Sequence, residues 1–339
     1  MEMKHYIEKC LAGEELTSEE ASSALELIMT NQASDAQIAG LLIALRAKGE
    51  TVGEIVGFAR TMREKSIRIT VDDPDAVDIV GTGGDGSGTF NISTVATFVC
   101  SAAGVTVAKH GNRSVSSRSG SADVLSALGA NIELPPAKVE QCVNTIGVGF
   151  LFAPLFHPAM KYAARTRAEL GVRTIFNMLG PITNPAGVRR HMIGAFHRRA
   201  ASQLAGALKE LDADKACVVH SDDGTDEITL SAATAIFEVE RNKEVNAYSV
   251  SPEVFGMKTQ PASGMLGGSR EENATIAWNI LNNEPSPARD VVIANAAFGV
   301  YVGGKAASIR EATDMATRAV DSGRALRKLN QFLDFTNRP

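Results

Sequence analysis

Three clusters along this chain have the residue types and spacing to do chemistry. The first is Gly81-Thr82-Gly83-Gly84-Asp85-Gly86-Ser87-Gly88, entered from the apolar run Val77-Asp78-Ile79-Val80. Glycine lacks a Cβ and accepts positive φ, so such a loop lets successive N–H groups converge on an anion. Thr89-Phe90-Asn91-Ile92-Ser93-Thr94 follows, with hydroxyls and an amide ahead of the apolar stretch Val95–Ala103. That pattern predicts a helix whose N-terminus faces the same place, a position that favours phosphate. The second cluster is Lys109-His110-Gly111-Asn112-Arg113-Ser114-Val115-Ser116-Ser117, leaving the short strand Val105–Ala108. It supplies charge, a directed amide and small donors. Ser119-Gly120-Ser121-Ala122-Asp123 then opens another helix. The third is His220-Ser221-Asp222-Asp223-Gly224-Thr225-Asp226-Glu227, with four carboxylates in six residues at a strand's end. Carboxylates of this kind suit Mg²⁺, which takes them together with substrate phosphate oxygens; a solvated acidic turn has the same composition.

The common phosphate loops do not fit the first cluster. A Walker loop ends in Gly-Lys-Ser/Thr, and no lysine follows these glycines until Lys109. Gly81, Gly83 and Gly86 match G-x-G-x-x-G formally, but Asp85 inside the turn repels a pyrophosphate held there. An acid at that point suits ribose hydroxyls or a metal ion. Two strand–polar loop–helix units in succession place both loops at the carboxyl ends of neighbouring strands, where open α/β sheets bind ligands.

The elements that position these clusters follow from patterning. Thr17…Glu20, Ser34…Gln37 and Thr51…Glu54 read as capping boxes, each followed by apolar residues three and four apart. A small helical domain is expected over residues 1–72, with Asp72-Asp73-Pro74-Asp75 closing it. From 73 to 339 an α/β domain is expected, with strands at Val77–Val80, Val105–Ala108, Gly149–Phe152, His191–Ala195 and Ala216–His220. Ala235–Val239 and Val245–Val250 read as an edge hairpin, and the chain beyond about Ser269 as helical.

Composition narrows the partners. The 339 residues are 44% hydrophobic, with a net charge of -5 and one tryptophan. There is no basic excess and no aromatic platform for nucleic acid. No run approaches the roughly 20 apolar residues that span a bilayer, and the N-terminus lacks a signal peptide's apolar core. Cys10, Cys100, Cys142 and Cys217 are far apart and lack metal spacing, as expected of reduced packing residues in a cytoplasmic protein.

Taken in order, Asp78–Asp85, Asn91–Thr94, Lys109–Arg113, Ser119–Asp123, His157-Pro158-Ala159-Met160, Arg173–Asn177, Leu179–Pro185 and Asp226-Glu227 resemble the anthranilate phosphoribosyltransferase family, over nearly the whole chain. The resemblance implies a homodimer of the nucleoside phosphorylase/phosphoribosyltransferase type, with a small helical and a large α/β domain and substrates meeting between them. It implies that Gly81, Gly84, Asp85, Thr89, Asn91, Ile92, Ser93, Thr94, Lys109 and Ser121 bind phosphoribosyl pyrophosphate, and that Ser93, Asp226 and Glu227 hold Mg²⁺. Asn112 and Arg167 would bind anthranilate, with His157 and Tyr162 lining its approach. His110, Gly111, Arg113, Ser114, Val115, Ser116 and Ser117 complete the implied substrate-contacting stretch. No nucleophile or general base is implied; catalysis would rest on positioning and electrostatics, with Lys109, Asn112 and Arg167 foremost.

Three departures from the family pattern stand out. Thr225 replaces an apolar residue before Asp-Glu, Ala168 replaces a second basic residue after Arg167, and Phe196-His197-Arg198-Arg199 replaces a Tyr-Asp-Pro stretch. The last is expected to be a surface loop with little bearing on chemistry. A pyrimidine nucleoside phosphorylase would need a nucleobase-recognition segment in place of Lys109–Ser117. A nucleic-acid-binding relative should have lost donor motifs and gained basic surface. Neither pattern is present.

Overall fold

The computed structural model describes residues 2–114 and 119–338. Val115, Ser116 and Ser117 lie outside the described residues.

The chain opens with four helices: α1 (Met3–Leu11), α2 (Ser18–Met29), α3 (Asp35–Lys48) and α4 (Val52–Glu64). The three predicted capping boxes are formed at the starts of α2, α3 and α4. Then come β1 (Val77–Gly81), α5 (Ile92–Ala102), β2 (Val107–Gly111), α6 (Ser121–Ala127), α7 (Pro136–Ile146) and β3 (Val148–Phe152). A short α8 (Ala153–Phe156), α9 (Lys161–Leu170) and α10 (Phe176–Leu179) lead to β4 (Arg190–Gly194), α11 (Arg198–Glu210) and β5 (Lys215–Ser221). The hairpin β6 (Thr234–Glu240) and β7 (Asn246–Val250) precedes α12 (Arg270–Leu281), α13 (Pro287–Val302), α14 (Ile309–Asp321) and α15 (Arg324–Thr336).

The strands form one seven-stranded sheet in the order β3-β2-β1-β4-β5-β6-β7. The first five are parallel; β6 and β7 add antiparallel at the β5 edge. The α/β class, the strands and the edge hairpin match the sequence expectation. The helix α7 was not foreseen. Its start is set by Pro136, which suits the first helical position, and its end by Gly147 in the left-handed conformation.

Alternation along the strands sends side chains to two cores. Val77 and Ile79 join one with α5, α13, α14 and α15. Ile193, Ala216 and Val218 join the other, with α1–α4 and α11. Although α9 and α10 lie far along the chain, they pack in this second layer. The Thr166 hydroxyl donates to Asp35 Oδ1 at 2.9 Å, and Phe176 meets Phe58 edge-on at 6.3 Å.

The α2–α4 corner is locked by a buried ion pair. Glu54 is fully buried, accepts Lys48 Nζ at 2.9 Å, and also accepts the N–H groups of Leu16 and Thr51. Removing one partner strands the other charge and two amide donors. Glu54→Ala is expected to destabilise the protein by about 3–5 kcal/mol, measured by chemical denaturation; a loss below about 1 kcal/mol would mean that the corner is held by packing alone.

Candidate functional site

Around β1 the sheet changes its direction of growth: β2 and β3 are added on one side, β4 and β5 on the other. Loops leaving the carboxyl ends of strands diverge at such a switch point and open a crevice. The glycine loop leaves β1 there, turning through Gly83 and Gly84 at φ +63° and +72°. Its exit is held by a second segment: Phe90 N–H donates to the Met265 carbonyl at 3.0 Å, and Gly267 N–H to the Gly88 carbonyl at 2.8 Å.

The acidic turn after β5 reaches across to this loop. A Cβ on Gly194, the last residue of β4, would lie 1.5 Å from the carbonyl oxygen of Asp226, so only glycine lets the turn pass. Asp226 Oδ2 then accepts Gly83 N–H at 2.9 Å, and Asp226 N–H donates to Asp85 Oδ2 at 3.2 Å. Glu227 Oε1 accepts the Ser93 amide at 3.2 Å, in the first turn of α5. The helix N-terminus expected to face phosphate thus also receives a protein carboxylate, which its dipole favours.

Both acids are 8% exposed. Burial, and next the Asp85 carboxylate, pushes Asp226 up to about 7. Burial, and next Asp226, pushes Glu227 up to about 8. Lys109 lies beneath them, donating to the Ile79 carbonyl and to Ser93 Oγ at 3.5 Å. Burial pulls its pKa down, while Asp78 and Glu227 hold it up. Asp78 is the next layer down, fully buried and pushed up to about 6 by that burial. It accepts His110 N–H at 3.1 Å and Asn184 Nδ2 at 2.8 Å.

Gly81, Gly84, Asp85, Thr89, Asn91, Ser93, Thr94, Lys109, Asp226 and Glu227 therefore gather on connected segments. Ile92 sends its side chain wholly into the core and supports the loop by packing. Thr94 is also buried. Ser121 opens α6 and donates to the Asn112 carbonyl at 3.3 Å, while Gly111 ends β2. Asn112 is exposed; its side-chain oxygen accepts the Arg113 amide. The Arg113 guanidinium pairs with Asp123 and Glu133, each at 3.3 Å, and Ser114 N–H donates to Asp123. His110 and His157 stack obliquely, centroids 5.1 Å apart. Burial holds them near 3 and 4, so both rings are neutral. Tyr162 and Arg167 lie on α9. Arg167 is half-buried over the Phe176 ring at 5.0 Å and has no acidic partner within 4.0 Å among the described residues.

The chain matches two family models, the helical bundle domain of a glycosyl transferase family over residues 4–66 and the α/β domain of that family over 73–326. It is 50% identical over 334 residues to an anthranilate phosphoribosyltransferase of Pelotomaculum thermopropionicum, covering 98% of this chain and 96% of that one. Against the structure of the enzyme from Thermus thermophilus the TM-score is 0.92 at 43% identity, covering 98% of this chain and 99% of that one. The Saccharomyces cerevisiae enzyme in complex with PRPP and Mg gives 0.90 at 26% identity, covering 98% and 97%. The chain belongs to the anthranilate phosphoribosyltransferase family.

The donor set fits the magnesium of that family. No three His, Cys, Asp or Glu side chains come together as a metal-binding group among the described residues. Mg²⁺ does not need one, since it binds through one or two carboxylates plus water and substrate oxygens. Once ionised, Asp226 and Glu227 carry two negative charges against the one positive charge of Lys109, which leaves charge for a dication to balance.

Of the departures from the family pattern, Thr225 turns its hydroxyl to Asp223 Oδ1 at 2.8 Å and so braces the acidic turn. Phe196 corrects the expectation of an uninvolved surface loop. Its N–H donates to Thr82 Oγ1 at 3.0 Å, and its ring carries the Arg173 guanidinium at 4.8 Å. Ala168 is exposed on α9. Residues that sequence reasoning missed are Gly194 and Asn295, whereas Asn184 lies within the Leu179–Pro185 motif. The Asn295 side chain accepts Ile228 N–H at 3.0 Å and donates to its carbonyl at 2.8 Å, anchoring the irregular segment just beyond Glu227. Neither Gly194 nor Asn295 belongs to a motif read from the sequence; only the close approach of distant segments gives them a role.

A metal ion held by this carboxylate pair would compete with protons. Raised pKa values mean that the folded metal-free protein binds more protons than the unfolded chain, so its stability falls as pH rises from about 4 to about 8. Mg²⁺ affinity is expected to rise with pH from about 6 to 8.5, with proton release on binding. Calorimetry in buffers of different ionisation enthalpy measures both; pH-independent binding without proton release would remove Asp226 and Glu227 as ligands.

Proposed function

We propose that this chain transfers the phosphoribosyl group of 5-phosphoribosyl 1-pyrophosphate to the amine of anthranilate, giving N-(5-phosphoribosyl)anthranilate and pyrophosphate in tryptophan biosynthesis. The observation that carries this reading is the meeting of the glycine loop, the start of α5 and the Asp226-Glu227 turn at one switch point, in a chain of this family. Gly81, Gly84, Asp85, Thr89, Asn91, Ser93, Thr94 and Ser121 orient the donor. Asp226, Glu227 and the Ser93 hydroxyl hold Mg²⁺, which when bound neutralises charge on the departing pyrophosphate. Lys109 keeps Glu227 in place and adds positive field beneath the leaving group.

The anomeric carbon acquires oxocarbenium character as its bond to pyrophosphate stretches. The aryl amine of anthranilate is unprotonated at neutral pH, so attack needs alignment more than a base. Neutral His110 and His157 suit a path for such an acceptor, because they do not protonate it. The half-buried Arg167 takes the anthranilate carboxylate by charge-assisted hydrogen bonds, Asn112 directs the amine, and Tyr162 with His157 lines the approach. The helical part, drawn at residues 1–72 and joined by α9 and α10, closes over the α/β part at 73–339 to exclude water from the donor. The protein works as a cytoplasmic homodimer, without nucleic acid or membrane partners.

Anthranilate fluorescence is expected to decay only when the donor and Mg²⁺ are both present, and to stop decaying with EDTA. Arg167→Ala should raise the KM for anthranilate about 10-fold or more and leave that for the donor within about twofold. Equal effects on both substrates would refute the role of Arg167.

A further inference from the structure

The amide of Asn91 stands in the middle of a hydrogen-bond chain whose direction is fixed at both ends. Gly268 N–H donates to Asn273 Oδ1 at 2.8 Å. That leaves Asn273 Nδ2 as the group facing Asn91, and it donates to Asn91 Oδ1 at 3.1 Å. Asn91 Nδ2 in turn donates to the Ser119 carbonyl at 3.1 Å. A backbone N–H begins the chain and a backbone carbonyl ends it, and neither can reverse its polarity. Both side-chain amides are therefore locked in one orientation.

Asn273 is 3% exposed, in the first turns of α12. The segment before it approaches the donor loop as closely as glycine allows. A Cβ on Gly267 would lie 2.7 Å from both Asn273 Oδ1 and the Phe90 backbone. The isolated bridge between Thr89 and Leu266 continues the same contact. This rigid support belongs to a helix that contributes none of the glycine-loop, Lys109 or acidic-turn residues.

We propose that Asn273 is a positioning residue for the donor substrate, acting through Asn91. With Oδ1 engaged by Asn273 and one N–H by Ser119, Asn91 keeps one N–H to offer a ligand. The locked amide thus presents a hydrogen-bond donor, which matches a phosphate or ribose oxygen and mismatches a ligand N–H. A free amide would sample both faces. The proposal rests on the reading of Asn91 as part of the donor site.

Asn273→Asp is isosteric, keeps an acceptor for Gly268 N–H, and places its charge near a helix N-terminus, where it is tolerated. It cannot donate to Asn91 Oδ1, so the Asn91 amide loses its lock. The KM and the calorimetric Kd for phosphoribosyl pyrophosphate with Mg²⁺ are expected to rise about tenfold or more, with the anthranilate KM within about twofold. Asn273→Ala, which adds no charge, should move the same constants in the same direction. In an Asn91→Ala background, Asn273→Asp should have little further effect. An equal effect in that background would mean simple charge repulsion and would overturn the proposal, as would unchanged donor constants in both single variants. If Asn91→Ala alone leaves donor binding unchanged, the underlying reading of the donor site fails instead, a result separate from the behaviour of Asn273.

Discussion

Two adjacent carboxylates carried to the buried end of a parallel sheet are the constraint around which this molecule is arranged. Asp226 and Glu227 are placed where ionisation costs energy, with Asp85 beside them and Lys109 beneath. Such an arrangement persists only if the surroundings over-determine it. Here the amides of Gly83 and Ser93 point at the two acids, Gly194 makes room for the turn, and Asn295 holds the next residue by both its peptide groups. The site is a set of backbone dipoles and one ammonium arranged ahead of any ligand, and it owes its geometry to three strand ends and one helix start.

The parts of this arrangement that sequence made legible are those governed by local chemistry. Capping boxes need only residues three apart, and Thr17, Ser34 and Thr51 formed them as read. Beyond about Ser269 the chain reads as helical, and α12, α13, α14 and α15 fill that stretch. The glycine loop declared itself through composition, because glycine turns through positive φ at no steric cost, as at Gly83, Gly84, Gly86 and Gly88.

What stayed hidden depends on partners far away in the chain. Asn273 is a commonplace polar residue on a helix until it meets Asn91, 182 residues earlier. Phe196 read as part of a surface loop, since nothing nearby foretells that Thr82 will accept its amide across the ends of β1 and β4. Helix α7 was passed over although its buried residues Val139, Cys142 and Val143 recur three and four apart. Nor does any local signal send α9 and α10 to α2–α4; that follows from the Asp35–Thr166 bond and the Phe58–Phe176 contact. Ile92 shows the converse: a motif position whose side chain serves the core.

The Asp78–Asn184 contact also bears on the order in which the chain assembles. Asp78 lies near the start of β1, and its Oδ2 accepts from a side chain 106 residues further on. The same Asn184 amide donates to the Ala108 carbonyl, so it bridges the first two strands of the sheet. Until the segment after α10 has docked, pairing β1 with β2 would bury a carboxylate without its full complement of donors, which is unfavourable. The first βαβ unit is therefore an incomplete folding unit by itself. Docking of the segment after α10 completes it, so the two strands that carry the glycine loop and Lys109 are tied to each other by an amide from outside the unit.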